Sequence, residues 1–131
     1  MTPSLMTPRL RVIRFVTLIG CCLIGTTSDV RADEQIEYFE KHIRPVLVKH
    51  CYRCHSGKAD EIKAGLRLDT RDGWQEGGDS GPAIVPGDPE ESLLMKAIQY
   101  DDDFYQMPPD RKLPADVVDK FKTWIEEGAT D

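Results

Sequence analysis

The sequence predicts a small all-α domain, because three segments carry apolar residues at helical spacing and long irregular stretches separate them. The chain has 131 residues, which is enough for one domain with a small apolar core. Strand-like alternation is confined to Leu66-Arg67-Leu68, which predicts a short strand or an extended segment. We therefore expect about three helices joined by loops.

The first helix is predicted over residues from about 34 to 50. Charged residues separate its apolar positions, which are Ile36, Phe39, Ile43, Val46 and Leu47. Because a proline removes a backbone donor, Pro45 is expected to kink this helix or to start a new turn.

The second helix is predicted from Asp88 to about Tyr100. Asp88 is expected to cap the helix, and Pro89 suits the first helical position. Its apolar residues are Leu93, Leu94, Ala97 and Ile98.

The third helix is predicted from Pro114 to a stop at Gly128, which suits a helix end. One face carries Val117, Phe121, Trp124 and Ile125. This face is expected to cross the apolar face of the first helix, with Trp124 in the core.

A Gly-rich stretch, residues 65–86, lies between the first two helices and is predicted to be a loop. It has no Gly-Lys-Ser or Gly-Lys-Thr ending and no preceding strand, so a phosphate-binding loop is not predicted.

The N-terminal residues 1–32 have the pattern of a secretory signal peptide. Arg9, Arg11 and Arg14 precede a mostly apolar run, residues 15–25, and the predicted cut follows Ala32. The run is short for a membrane span. Two alternatives remain open: a lipobox that ends at Cys21, or a retained N-terminal anchor.

Removal of this segment would leave an acidic domain, residues 33–131. It contains 13 Lys or Arg against 22 Asp or Glu, a net charge of −9. Such a charge disfavours nucleic acid and favours partner proteins with basic docking surfaces. Cys21 and Cys22 would leave with the signal, so no disulfide framework is expected.

The most informative motif is Cys51-Tyr52-Arg53-Cys54-His55, a C-x-x-C-H string. This spacing is typical of covalent attachment of one c-type haem. Each thiol can add across a haem vinyl group, and His55 can donate a ring nitrogen to the iron. The alternatives are a redox dithiol, which should follow a strand in an α/β pattern, and a zinc site, which needs a fourth ligand.

Met107 is the favoured second axial ligand. It lies in Gln106-Met107-Pro108-Pro109, 52 residues after His55, and the prolines keep this segment out of a helix. Three alternatives stay open: a histidine, namely His42 or His50, or an open position. Met95 is expected to fill the core instead.

The order of motifs resembles the planctomycete-type cytochrome c domain. The residues that carry the resemblance are Phe39, Ile43, Pro45, Leu47, Cys51, Cys54, His55, Gly65, Leu66, Leu68, Gly77, Gly78, Pro86, Gly87, Pro89, Ser92, Leu94, Met107, Pro108, Pro109, Leu113, Trp124, Ile125, Gly128 and Ala129. The resemblance implies a small class I cytochrome c-like fold around one haem, with His55 and Met107 as axial ligands.

These observations together predict an exported monohaem cytochrome c, in the periplasm or otherwise outside the cytoplasm. It would carry one electron at a time between redox partner proteins and would not be an enzyme. Two alternatives are a subunit docked on a periplasmic dehydrogenase, and a haem enzyme or sensor with a labile sixth ligand. A membrane tether is expected only if Cys21 is lipidated or the signal is retained.

Overall fold

The computed structural model describes residues 27–131, with side chains from residue 30 onward. Within this range the chain is helical and contains no strand, which confirms the all-α prediction; one isolated bridge joins Gly78 to Gly81. The elements are α1 (Thr27–Tyr38), a π-helical turn (Phe39–Ile43), α2 (Arg44–His50), a 3₁₀ turn (Lys63–Gly65), α3 (Arg71–Glu76), α4 (Leu93–Gln99) and α5 (Ala115–Glu126).

The predicted first helix is helical throughout, but it begins earlier and is divided. The π-helical turn separates α1 from α2, and within it the Arg44 amide donates to the carbonyl of Phe39, five residues earlier. Pro45 follows in the first turn of α2. A proline ring collides with the carbonyl four residues before it in a regular α-helix, so the wider turn gives the ring room.

The π-helical turn also explains why the prediction that Ile36 lies on the buried face is wrong. Phe39, Ile43 and Leu47 are buried, whereas Ile36 is 41% exposed. A π turn holds about one residue more than an α turn, which rotates earlier positions by roughly 100° relative to later ones. Ile36 therefore leaves the apolar face that the spacing predicts for it.

The predicted signal peptide falls mostly on residues 1–26, which lie outside the described residues, as does Cys21. Residues 27–32 form the first half of α1, so the helix runs through the predicted cut after Ala32. Among residues 27–131, no helix is both long and apolar enough to cross a bilayer.

The second predicted helix starts four residues later than expected. Ser92, and not Asp88, precedes α4. Ser92 is fully buried, and its hydroxyl accepts from the Val85 amide at 2.9 Å and donates to the Asp88 carbonyl at 2.8 Å. These bonds fold residues 88–92 into a separate turn, in which the Asp88 side chain accepts from the Glu91 amide. The predicted end is confirmed, since Tyr100 caps α4 in a left-handed conformation.

The third helix and its packing are as predicted. α5 follows Pro114, and Gly128 adopts a positive φ just after the helix. The ring of Phe39 stacks on Trp124 at 5.4 Å between centroids, so the first helical segment packs on α5. Trp124 lies in the core, where Phe121 and Trp74 meet it edge to face.

The Gly-rich stretch predicted as a loop contains the short helix α3. Thr70 caps it, because its hydroxyl accepts from the Gly73 amide at 3.1 Å. Gly73 is required there, since a Cβ would lie within 2.8 Å of Arg67 and Thr70 atoms. Leu66 and Leu68 flank Arg67 in an extended segment, one of the two structures that the alternation predicts, and Leu68 is buried.

Candidate functional site

The C-x-x-C-H motif forms one compact turn at the end of α2. The amides of Cys51 and Tyr52 both donate to the Leu47 carbonyl at 2.9 Å. The amides of Cys54 and His55 then donate to the Cys51 carbonyl, at 3.1 and 2.9 Å. This backbone bonding brings both thiols and the imidazole into a single turn.

The two thiols differ in their surroundings. Both are free, with Cys51 half-buried against the core and Cys54 exposed. Burial, helped by the neighbouring Cys54, raises the pKa of the Cys51 thiol to about 12. A redox dithiol is activated by a lowered thiol pKa, so this environment counts against that alternative.

His55 is half-buried and favours its neutral form. Burial lowers the pKa of the imidazole. Nearby backbone of Leu66 and Lys63 opposes the shift in part, although the buried Nδ1 forms no hydrogen bond of normal geometry. A neutral imidazole is the form that binds a metal, and a buried Nδ1 leaves Nε2 for that role.

The chain after the motif returns to it and holds it in place. The Lys63 amide donates to the Cys54 carbonyl at 3.0 Å, and the Leu68 amide donates to the His55 carbonyl at 2.9 Å. The Gly57 amide donates to a carboxylate oxygen of Asp69 at 2.9 Å. The motif is therefore fixed by α2 on one side and by residues 57–69 on the other.

Met107 is positioned by a different part of the fold. It is half-buried, and its amide donates to the Ala97 carbonyl near the end of α4 at 3.0 Å. The Tyr100 hydroxyl donates to the carbonyl of the buried Pro108. The contacts that fix Met107 thus go to α4, and those that fix the motif go to α2 and residues 57–69.

The rival axial ligands have other environments. Met95 is 2% exposed and lies in the core, as expected for a core-filling methionine. The ring of His42 is half-buried beside the Tyr38 ring at 4.9 Å between centroids. His50 is exposed at the end of α2.

Zinc is the other metal considered for this motif. Within residues 27–131, no group of three or more His, Cys, Asp or Glu side chains is placed to hold a metal ion. A structural zinc site needs four such ligands around the ion. The free thiols and the neutral imidazole with its unpartnered nitrogen instead fit a covalently attached haem.

A cleft of about 570 Å³ opens beside the motif, and the sequence does not predict it. It is lined by Arg44, Tyr52, Arg53, Ser56, Lys58, Ala59, Asp60 and Asp69. One carboxylate oxygen of Asp69 is buried without a hydrogen-bond partner. The only sequence signal for this cleft is the density of Lys and Arg around the motif.

Comparison with known proteins gives one match. Residues 51–111 match the family model described as planctomycete cytochrome C, a segment that includes Cys51, Cys54, His55 and Met107. No curated protein and no solved structure matches the chain. The resemblance drawn from the sequence motifs is therefore confirmed over this segment.

Proposed function

We propose that this chain is an exported monohaem cytochrome c that carries single electrons, because residues 51–111 match the family model described as planctomycete cytochrome C. A match to a cytochrome c family model supports haem-based electron transfer as the general function. The observation that carries the proposal is the single turn with two free thiols and a neutral imidazole directly after the second thiol.

Cys51 and Cys54 would hold the ring through thioether bonds. In each bond, a thiol adds across a vinyl double bond, so the sulfur bonds to one carbon and the hydrogen moves to the other. Haem, when bound, supplies an iron that changes oxidation state by one electron. The addition needs no external oxidant. It needs two free thiols that carry their hydrogen, and Cys51 and Cys54 are both free.

His55 would be the first axial ligand and Met107 the second. The anchoring of the Met107 loop on α4 supports this role, because a ligand must be held in place on a rigid element. Protein ligands at both axial positions would leave no open position for a substrate, which favours a carrier over an enzyme. A His and Met pair also raises the reduction potential.

Export is proposed from the N-terminal pattern. Thioether attachment and the signal-like segment before Asp33 both suit a protein that works outside the cytoplasm. The partners would be redox proteins that give and accept one electron at a time.

The test is an absorption spectrum together with a mass measurement on the protein purified from a host that matures c-type cytochromes. We expect a reducible haem spectrum that survives denaturation, and a mass equal to residues 33–131 plus one haem. The double variant Cys51→Ala/Cys54→Ala should lose the attached haem. A colourless protein with the mass of the polypeptide alone would contradict the proposal.

A further inference from the structure

The charge around the motif is opposite to the charge of the rest of the domain. Residues 41–71, here called the basic segment, carry eight Lys or Arg against three Asp or Glu, a net charge of +5. The other residues of 33–131 carry five against 19, a net charge of −14. The motif, residues 51–55, lies near the middle of the basic segment.

All eight cations of the basic segment are exposed, and three of them form ion pairs. Arg44 pairs with Glu40, Lys63 with Glu61, and Arg71 with Asp131. The five other cations of the basic segment have no ion pair within the part of the chain that the structure describes; they are Lys41, Lys49, Arg53, Lys58 and Arg67. Even with Glu40 and Asp131 counted, and with Asp79, whose carboxylate lies beside Gly65, the net charge here is +2.

The basic segment is also one spatial unit around the motif. Its first part is the helix that leads into the turn, and its last part is hydrogen-bonded to Cys54 and His55. All residues that line the cleft of about 570 Å³ belong to the basic segment, and its charged lining residues are three cations, Arg44, Arg53 and Lys58, and two acids, Asp60 and Asp69. Arg53 lies between the two cysteines, so one cation is fixed by the covalent chain close to both thioether positions.

We propose that the basic segment docks an acidic surface of a redox partner next to the haem attachment site. This inference rests on the proposed function and names the chemistry of its partner. The net charge of the domain favours a partner with a basic surface, so local charge and net charge lead to opposite expectations at this site.

Screening of charges by salt determines which of these two expectations applies at the contact. At physiological ionic strength the Debye length is about 8 Å, so charges on distant parts of the domain are largely screened at the contact. Complementary charge close to the contact then sets the association rate and the choice of partner. The acidic remainder still favours basic surfaces elsewhere, but it acts weakly at the motif.

The experiment follows the oxidation of the reduced holoprotein by ferricyanide, an anion, and by tris(phenanthroline)cobalt(III), a cation, as salt is added. If the basic segment guides approach, the rate with ferricyanide falls as ionic strength rises, although the protein as a whole is anionic. If the net charge guides approach, that rate rises with salt, and this result would overturn the proposal.

Two variants with equal charge change separate location from net charge. Arg53→Glu/Lys58→Glu should slow ferricyanide oxidation by roughly tenfold at low salt and reverse the salt dependence. Arg111→Glu/Lys122→Glu changes the net charge equally, on exposed residues outside the basic segment, and should have little effect. Equal effects of both variants would contradict a local docking site.

Binding is measured separately from electron transfer, with poly-L-glutamate as a probe of an acidic protein surface. Calorimetry at low salt should detect binding to the wild type and not to Arg53→Glu/Lys58→Glu. Sedimentation with phosphatidylglycerol vesicles, without binding to poly-L-glutamate, would assign the segment to a membrane instead and overturn the proposal. A holoprotein that shows no spectral change with either oxidant would refute the proposed function itself, which these docking results alone do not.

Discussion

The Met107 amide donates a hydrogen bond to the Ala97 carbonyl at 3.0 Å, which attaches the proposed ligand loop to the end of α4. α4 in turn packs on α5, and its residues Leu94 and Ile98 are buried in the core. The position of the Met107 thioether therefore depends on the helical core, and the C-x-x-C-H turn is held separately. Haem binding would join two independently anchored parts of the fold.

Met107→Ala should remove the second axial ligand and leave haem attachment intact. We expect loss of the weak sulfur-to-iron absorption band near the infrared edge of the visible spectrum. The potential should fall by on the order of 0.1 V, since axial ligands set haem potentials over about 0.8 V. Absorption spectroscopy and redox titration measure both effects.

Met95→Leu is the matched control, because Met95 is a methionine buried in the core. It should keep both the band and the potential. If Met107→Ala keeps the wild-type spectrum, the ligand is another residue, and His42 and His50 variants would then identify it.

Tyr100→Phe should weaken the attachment of the same loop. The Tyr100 hydroxyl donates to the carbonyl of Pro108, which is buried, so its loss leaves that acceptor without a partner. We expect a decrease in the free energy of unfolding of about 1–3 kcal/mol. Urea denaturation of the holoprotein measures this, and the sulfur-to-iron band should disappear at lower urea than in the wild type.

Tyr105→Phe serves as the control for that change. Tyr105 is 66% exposed, and removal of its hydroxyl should alter the free energy of unfolding by less than about 0.5 kcal/mol. Similar losses in the two variants would show that the Tyr100 hydroxyl does not hold the loop.

The thiols of the haem-free protein should react at different rates. Cys54 is exposed, whereas burial raises the pKa of Cys51 to about 12. At pH 8 a thiol with that pKa is ionised to only about 1 part in 10,000, and the thiolate is the reactive form. Iodoacetamide should therefore label Cys54 at least about 100-fold faster than Cys51, as followed by peptide mass spectrometry.

The same pKa shift predicts a loss of stability in alkali. The unfolded chain releases the Cys51 proton near the ordinary thiol pKa of 9.0, before the folded chain does at about 12. Stability from this group is therefore full below pH 9 and falls as the pH rises toward 12.

The control for the labelling experiment is the same reaction in urea, where both thiols should react alike. Equal labelling rates of Cys51 and Cys54 in native buffer would contradict the buried environment of Cys51.

Two isoleucines on the first helical segment test its packing. Ile43 is fully buried and Ile36 is 41% exposed, although they are seven residues apart and expected on one face. Ile43→Ala should lower the free energy of unfolding by about 2–5 kcal/mol, and Ile36→Ala by less than about 0.5 kcal/mol. Chemical denaturation of both variants measures the difference, and equal losses would place Ile36 in the core after all.

The family match that includes the C-x-x-C-H motif and most of the helices could be predicted, because their signals are local. C-x-x-C-H is a short covalent pattern, and α5 is defined by apolar spacing between Pro114 and Gly128. The rotation of Ile36 could not be predicted, because it follows from the π-helical turn, which spacing alone does not encode.

The other differences arise from hydrogen bonds and contacts between residues that are separated along the sequence. The late start of α4 depends on Ser92, which bonds to Val85 seven residues earlier. α3 lies in a stretch whose glycines ordinarily indicate a loop, and Gly73, the glycine inside this helix, is explained by the close approach of Arg67 and Thr70. The cleft beside the motif combines α2, the turn and residues 58–69, so it exists only once the chain has folded.

Gly77 and Gly87 offer a final test, of the turn that closes the Gly-rich stretch. Both have positive φ, +81° and +84°, so alanine meets backbone strain of at least about 1 kcal/mol at each, and Gly77 combines its φ with a ψ of −159°, a region that only glycine adopts readily. A Cβ on Gly77 would lie 1.8 Å from the Gly81 carbonyl oxygen, whereas nothing lies within 4 Å of one on Gly87. Gly77→Ala should therefore lower the free energy of unfolding by clearly more than Gly87→Ala, by about 1–3 kcal/mol beyond the shared strain. If thermal or urea denaturation gives the two variants equal stability, the tight Gly77–Gly81 turn is absent in solution.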